Sequence, residues 1–200
     1  MLEGLADDIR KYFPKYLTPE QKDDLFRELQ GFPDNKNMYE VESGPDALLQ
    51  GDGWRGFVAI NFHTSERKTV SGIIISNSCD LDLKNNPEIK PKILFAPIIN
   101  LSGYTSLLER VGRAPAEIKS KLAAVKLQRI TSIFYLPKIP GRDQEGIVLL
   151  DDIHQHPIDD FMQSGRSRLF TLNMYGFYIF LIKLSIHLTR FNEGPRTVTA

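Results

Sequence analysis

The stretch Ile73-Ile74-Ile75-Ser76-Asn77-Ser78-Cys79-Asp80-Leu81-Asp82-Leu83 passes from a β-branched run directly into a polar turn that holds the only cysteine of the chain. Three consecutive isoleucines bounded by turn residues read as a fully buried strand. The polar residues that follow are then delivered to the rim of a sheet, a usual place for a site. Upstream, Arg55 to Phe62 sets Phe57, Ala59 and Asn61 against Val58, Ile60 and Phe62, so a strand there packs on both faces. His63 to Lys68 forms a charged hairpin loop, and Thr69 to Ser76 returns as the next strand. Asp80 to Pro91, with Asn85-Asn86-Pro87 as a turn signal, separates it from a third strand at Lys92 to Ile99. Connections this short imply antiparallel pairing.

Beyond the third strand the periodicity turns helical over about Tyr104 to Gln128, with Pro115 near a helix start and Ile118, Leu122, Val125 and Leu127 as an approximate apolar stripe. Strands resume at Ile130 to Leu136 and Glu145 to Ile153, joined by a Pro/Gly loop from Pro137 to Asp143. The last element, about Met174 to Phe191, is apolar nearly all round, and Lys183, His187 and Arg190 interrupt it. Its uncharged core is shorter than the roughly 20 apolar residues a bilayer crossing requires. It is therefore expected to be buried centrally or to form a homodimer interface. Before all of this, Thr18-Pro19-Glu20-Gln21 has the form of a capping box with proline at the first helical position. Leu25, Phe26 and Leu29 then share a face, and Gly31-Phe32-Pro33 stops the helix. A shorter amphipathic segment, Leu2 to Tyr12, precedes it. The expected organisation is an acidic helical arm over residues 1 to 50 and a domain over 51 to 200. The expected fold class is α+β: a small antiparallel β-barrel with an N-terminal helical arm, a helical insertion at about 104 to 128, and a C-terminal hydrophobic helix.

A chain of 200 residues, 42% of them hydrophobic, can bury a core without disulfides or metals, and one cysteine excludes an internal disulfide. Met1 to Leu17 is interrupted by charges and does not read as a signal peptide, so the expected compartment is cytoplasmic. The zero net charge conceals an asymmetry: the first 50 residues hold 11 acidic and 6 basic side chains, and residues 51 to 150 hold 9 and 14. A basic middle of this kind can meet phosphates or the acidic arm.

With the strands placed, a resemblance emerges. Gly53-Trp54-Arg55-Gly56-Phe57-Val58-Ala59-Ile60-Asn61-Phe62, the loop containing Ser65-Glu66, the strand Val70 to Ser76, and Ile93-Leu94-Phe95-Ala96-Pro97 together resemble the start of the MazF/PemK-type SH3-like barrel. Ile133 to Pro137, Gly146 to Asp151 and the C-terminal helix fit the remainder in order, so the likeness spans about residues 50 to 190, broken by the insertion. The resemblance implies a bacterial defence or toxin-antitoxin-like setting. It departs from the family where RNase chemistry sits: Val70-Ser71 stands where those enzymes carry Arg-Pro, and Ile98 to Asn100 where they carry a threonine. The pattern is also similar to uncharacterised bacterial proteins with an S-x-[ST]-C-D segment, a likeness that implies no activity.

Two functions from different classes follow. One is a non-catalytic interaction module that binds a protein or nucleic-acid partner. The other is a divergent, metal-independent RNase in which His63, Arg67 and Lys68 supply the acid, base or phosphate clamp. The candidate binding residues are Asn77, Ser78, Cys79 and Asp80 in the turn, and Lys119, Lys121 and Lys126 on the basic helix of the insertion, with Tyr104, Phe134 and Tyr135 as stacking candidates for RNA or DNA. Asp80 and Asp82 oppose thiolate formation at Cys79, which is expected to be a packed thiol. Asp152, His154 and His156 alternate in a way that lets an extended chain bring them to one side of an ion, but the segment reads more simply as a polar turn before Pro157. No metal or other cofactor is expected.

Overall fold

The computed structural model describes residues 18–41, 47–61, 63–85, 87–163 and 165–189. The chain divides into two compact units, Met1–Asn37 and Met38–Ala200. In the first, helix α1 spans Pro19–Gln30, and both halves of the capping box form: Thr18 Oγ1 accepts from the Gln21 amide and Gln21 Oε1 accepts from the Thr18 amide. Gly31 ends the helix, its amide donating to the Glu28 and Leu29 carbonyls. Leu2 to Tyr12 lies outside the described residues.

The second unit is built on strands β1 (Gly53–Ile60), β2 (Arg67–Ile74) and β3 (Lys92–Asn100), an antiparallel meander. Between β2 and β3 lies a one-turn helix, α2 (Ser78–Leu81). After β3 come helices α3 (Leu101–Arg110) and α4 (Pro115–Lys126), so the predicted single insertion is a helical hairpin in which Pro115 takes the first helical position. Then follow β4 (Ile133–Leu136), β5 (Gly146–Leu149), β6 (His154–Pro157), helix α5 (Ile158–Gln163), β7 (Ser167–Phe170) and helix α6 (Met174–Thr189). Every strand pairing is antiparallel, and the architecture is mixed helix and sheet. No helix among the described residues is long and apolar enough to cross a membrane.

The sheet runs β4-β5-β3-β2-β1-β7, with β6 also on β3, and among the described residues no ladder joins its two ends. The expected barrel is thus an open, curled sheet. Its curl has local causes. Gly56, at φ 102°, sits where the β1–β2 register shifts between Arg55 and Phe57, a bulge that bends the strand and favours a residue without a side chain. On its other edge β3 carries two strands end to end: Ile98 to Asn100 pair with β5, and Lys92 to Phe95 with β6. Pro97 falls between the two ladders, where its missing N–H breaks neither.

Under the sheet, Trp54, Phe57, Ile74, Ile93, Phe95, Ile158 and Phe161 form one core cluster. Phe57 stacks between Phe95 and Phe161, with ring centres 4.1 and 4.4 Å away. Leu48 joins this cluster, and Tyr39 bridges to Leu172, so residues 38–41 and 47–50 belong to the sheet-bearing unit. A second cluster packs α3 and α4 on β4 and β5 through Leu101, Tyr104, Leu108, Ile118, Val125 and Ile147. One face of α6 is buried, through Tyr175, Ile179, Phe180, Lys183 and Leu184. Toward its C-terminal end Ile182, Ile186 and Leu188 are exposed.

Candidate functional site

In the turn after β2, the polar side chains hold backbone. Ser76 Oγ accepts from the Leu94 amide at 2.8 Å, extending the β2–β3 pairing past its last ladder position. Asn77 caps α2, its Oδ1 accepting from the Cys79 amide at 2.9 Å. Ser78 Oγ accepts from the Gln50 amide at 2.9 Å, while Gln50 Nε2 donates to the Ile75 carbonyl at 2.7 Å. Asn85 Nδ2 closes the turn on the Cys79 carbonyl. Cys79 itself is exposed, not packed. The isoleucine run ends as strand at Ile74, and a helical turn lifts the thiol to the surface. Ser78 and Cys79 line the rim of a cavity of about 540 Å³ whose wall is mostly apolar, including Leu48, Leu49, Leu81, Leu83, Ile158 and Met162. Asp80 is exposed beside it and does not line it.

The three candidate catalytic residues do not converge on a cavity. His63 lies in the exposed β1–β2 loop, where its amide donates to Asn61 Oδ1. Arg67 pairs with Ile60 and Lys68 with Ala59, so as successive strand residues they project to opposite faces of the sheet. All three side chains are exposed.

On the insertion, Lys119 and Lys126 flank a groove of about 580 Å³ floored by Pro115, Ile118, Leu122 and Ala123. Lys121 lies off this groove, its ammonium 5.7 Å from the centre of the Tyr104 ring. Lys126 Nζ meets Glu145 Oε2 at 2.7 Å, and the Tyr135 hydroxyl donates to the same carboxylate. Burial, with Glu145 beside it, pushes the Tyr135 hydroxyl pKa up. Phe134, the third stacking candidate, is fully buried against Phe180, and Tyr104 is 8% exposed. Of the predicted components of a nucleic-acid surface, Phe134 and Tyr135 are core, the largely buried Tyr104 keeps Lys121 over its ring, and Lys126 is paired with Glu145.

Asp152, His154 and His156 form no ligand set. The segment read as a polar turn is strand β6, in register with β3. His154 Nε2 meets Asp152 Oδ1 at 2.9 Å, and its ring stacks on Phe95. His156, opposite Ile93, is buried and packs edge-on to Phe161, with Nδ1 3.4 Å from the Val58 amide. Burial lowers its pKa, against a smaller upward pull from Asp160, which favours the neutral ring that accepts from Val58. Among the described residues no group of three or more His, Cys, Asp or Glu side chains is placed to hold a metal ion.

Two features escaped the sequence reading. Asp52, between two glycines and unremarkable by pattern, is fully buried. Its Oδ2 lies 3.4 Å from Arg168 Nε, while Arg168 Nη2 donates to the Ala47 carbonyl at 2.8 Å. The guanidinium carbons of Arg166 and Arg168 lie 5.0 and 4.9 Å from the centre of the buried Trp54 ring. Burial raises the Asp52 pKa to about 6, against the opposing pull of Thr171, Arg168, the Leu49 backbone and Trp54.

The other feature is the seam left by the open sheet. The outer edge of β1 pairs with β7 only as far as Arg55, and beyond it faces β6. The Val58 amide points into this seam, whereas the Asn61 amide points back to Glu66, so alternation directs the backbone groups of Val58 and Ile60 outward. Along the seam runs a groove of about 410 Å³ lined by Val58, Ile60, Lys92, Leu94, Ile153, His154, Gln155 and Pro157. Set beside known proteins, the chain matches no family model and no curated sequence, so its chemistry is read from these side chains alone.

Proposed function

We propose that the chain is a non-catalytic interaction module whose partner is a protein. The observation that carries this reading is the mismatch between where reactive groups lie and where grooves lie. His63, Arg67 and Lys68 are spread over an exposed hairpin and two sheet faces. The cavities are walled by aliphatic side chains, as at Leu48, Leu81, Ile158 and Met162. Apolar concavities with few polar groups suit recognition better than acid–base work. A protein partner fits better than a nucleic acid because the predicted stacking rings are buried and Lys126 is paired with Glu145.

The likeness to the MazF/PemK-type SH3-like barrel is kept in this proposal as a divergent, unclosed form. The β1–β2–β3 meander, its bulge and the late α-helix support it. The bacterial defence or toxin-antitoxin-like setting rests on that likeness, and the genes beside this one test it. Homodimerisation is proposed through α6, where Ile182 and Ile186, both exposed, lie a helical turn apart. Ile182→Glu with Ile186→Glu is expected to convert a dimer to a monomer in sedimentation.

The test of the central reading is incubation of purified protein with mixed RNA, with and without divalent metal. Intact RNA is expected throughout. Cleavage that His63→Ala or Arg67→Ala abolishes would replace this reading with the metal-independent RNase.

A further inference from the structure

We infer that Arg55, Arg142, Ser71 and Ser167 form a binding site for a dianionic phosphate group of the monoester kind. The inference does not rest on the interaction-module reading. It is carried by two guanidiniums that the fold brings together and leaves without an acid.

Strand register places three of the four residues. Arg55 on β1 stands directly across from Ser71 on β2 and from Ser167 on β7. Directly opposed residues share a face of the sheet, so a hydroxyl flanks the arginine on either side. That face is the one opposite the aromatic core: a Cβ at Gly72 would meet Phe57 and Phe95, and Ser71, its neighbour in the strand, points the other way. Arg55 and Ser167 are exposed and Ser71 is half-buried. Among the described residues none of the three side chains has a hydrogen-bond partner.

The second guanidinium comes from the loop between β4 and β5. Pro140 and Gly141, the latter at φ 69°, occupy the middle of a tight turn in which the Arg142 amide donates to the Ile139 carbonyl at 3.0 Å. The turn is anchored on the same sheet face. A Cβ at Gly146 would meet both Ile139 Cδ1 and Ile98 Cγ2, and Ile98 directly follows Pro97, which pairs with Gly72 beside Ser71. Arg142 is half-buried there. Burial lowers its pKa, and the neighbouring Arg55 charge lowers it further.

Charge selects the ligand. The acids nearest Arg142 in the loop are engaged elsewhere: Asp143 meets Lys138 Nζ at 2.6 Å, and Glu145 meets Lys126 Nζ at 2.7 Å. Among the described residues no carboxylate pairs with Arg55 or Arg142. Two like charges, one of them partly desolvated, are unfavourable until an anion joins them. A phosphate monoester carries close to two negative charges at neutral pH and three accepting oxygens. It therefore matches two guanidiniums, which bind phosphate through paired N–H donors, with the serine hydroxyls as further donors. A phosphodiester, as in RNA, brings one charge and leaves the second arginine unmatched.

The experiment is NMR titration of the nitrogen-labelled full chain, at constant ionic strength, with inorganic phosphate, phenyl phosphate, dimethyl phosphate and a phosphoserine peptide. Saturable shifts are expected at the amides of Arg55, Ser71 and Arg142 and at the guanidinium Nε–H of both arginines, with half-saturation by phenyl phosphate at about 1 mM or below. Dimethyl phosphate, a diester that leaves the protein unaltered as a test, is expected to bind about tenfold more weakly. Arg55→Gln and Arg142→Gln are each expected to weaken monoester binding by about tenfold or more. Phosphate should raise the melting temperature of wild type and of neither variant. A phosphoserine peptide that binds more tightly than phenyl phosphate makes a modified partner protein the source of the group, and equal affinity makes it a small phosphomonoester; both support the site. No saturable shift up to about 20 mM phosphate overturns the proposal, as do shifts that survive either substitution. Equal affinity for monoester and diester, or tighter binding of an RNA oligonucleotide at these residues, overturns the choice of ligand.

Discussion

Asp52→Asn is expected to stabilise the protein at neutral pH, although it removes one half of a buried ion pair. The carboxylate is fully buried, and Arg168, the charged neighbour it has among the described residues, stands off at 3.4 Å and is shared with the Ala47 carbonyl. Burial outweighs that attraction and lifts the pKa from 3.8 to about 6. A folded-state pKa above the unfolded one means that the protonated acid suits the fold: the contribution is fully present below pH 3.8 and is lost as the pH rises through about 6. Converted at 1.36 kcal/mol per pH unit, the charged form costs about 3 kcal/mol at pH 7.5. Asparagine keeps the shape without the charge, so ~3 kcal/mol is the ceiling for its gain, and its imperfect pairing with Arg168 brings the expected value to roughly 1 to 3 kcal/mol. The assay is urea denaturation of both proteins at pH 7.5 and 4.5. Because the wild-type carboxyl takes up its proton as the pH falls, the variant's advantage should shrink by about 2 kcal/mol between pH 7.5 and pH 4.5. A variant less stable than wild type at pH 7.5, or a gap of the same size at both pH values, would refute the reasoning and show that the Arg168 pair outweighs desolvation.

Lys183 gives the mirror case: burial lowers its pKa to about 8 while its ammonium donates to the Gln128 and Ile130 carbonyls just beyond α4. The unfolded chain holds that proton longer, so stability should climb by about 2 kcal/mol between pH 7 and 9.5, and Lys183→Met, compared by denaturation at the two pH values, should lack the climb. Gly176→Ala is expected to lower the melting temperature by several degrees, because a Cβ there would overlap the Met38 carbonyl oxygen. Phe161→Ala removes the ring that stacks on Phe57 and meets Trp54 edge-on at 6.0 Å, and should cost roughly 3 to 5 kcal/mol in chemical denaturation.

Elements whose signals are local were legible in the sequence. The capping box at Thr18 and Gln21, proline at the start of α4, the meander of β1 to β3 and the extent of α6 each depend on a few adjacent residues. Elements made by pairing across the fold were not. His154–Pro157 carries two histidines, a glutamine and a proline, which no propensity marks as a strand, and it is one because β3 offers it an edge. That single misreading also produced the candidate metal set: once His156 stands opposite Ile93, its ring belongs to the core. Ser167–Phe170 became β7 in the same way, through three positions on β1. Whether the sheet closes was beyond reach for a related reason, since closure depends on the distance between β1 and β6, which a bulge at Gly56 and the two-part edge of β3 decide together.

The Ser76-Asn77-Ser78-Cys79 turn takes its meaning from that geometry. Its polarity looked like chemistry, yet the three polar side chains before the thiol each accept a backbone hydrogen bond: from Leu94, from Cys79 and from Gln50. The first of these determines more than the turn. By holding the Leu94 amide, Ser76 extends the grip of β2 on β3 two residues beyond the last ladder pair at Ile74 and Phe95, into the part of β3 on which β6 rests. Leu94 is also a wall of the seam groove. A substitution such as Ser76→Ala would leave a backbone donor at that wall without its acceptor, at a cost of about 1 to 3 kcal/mol if water does not replace it. Its effect should therefore appear as faster amide hydrogen exchange at Leu94 and in β6, some distance along the chain from Cys79. If the Leu94 amide and the β6 amides exchange in Ser76→Ala as they do in wild type, while the variant is measurably less stable, then the turn supports the core alone and the position of β3 is set by β6.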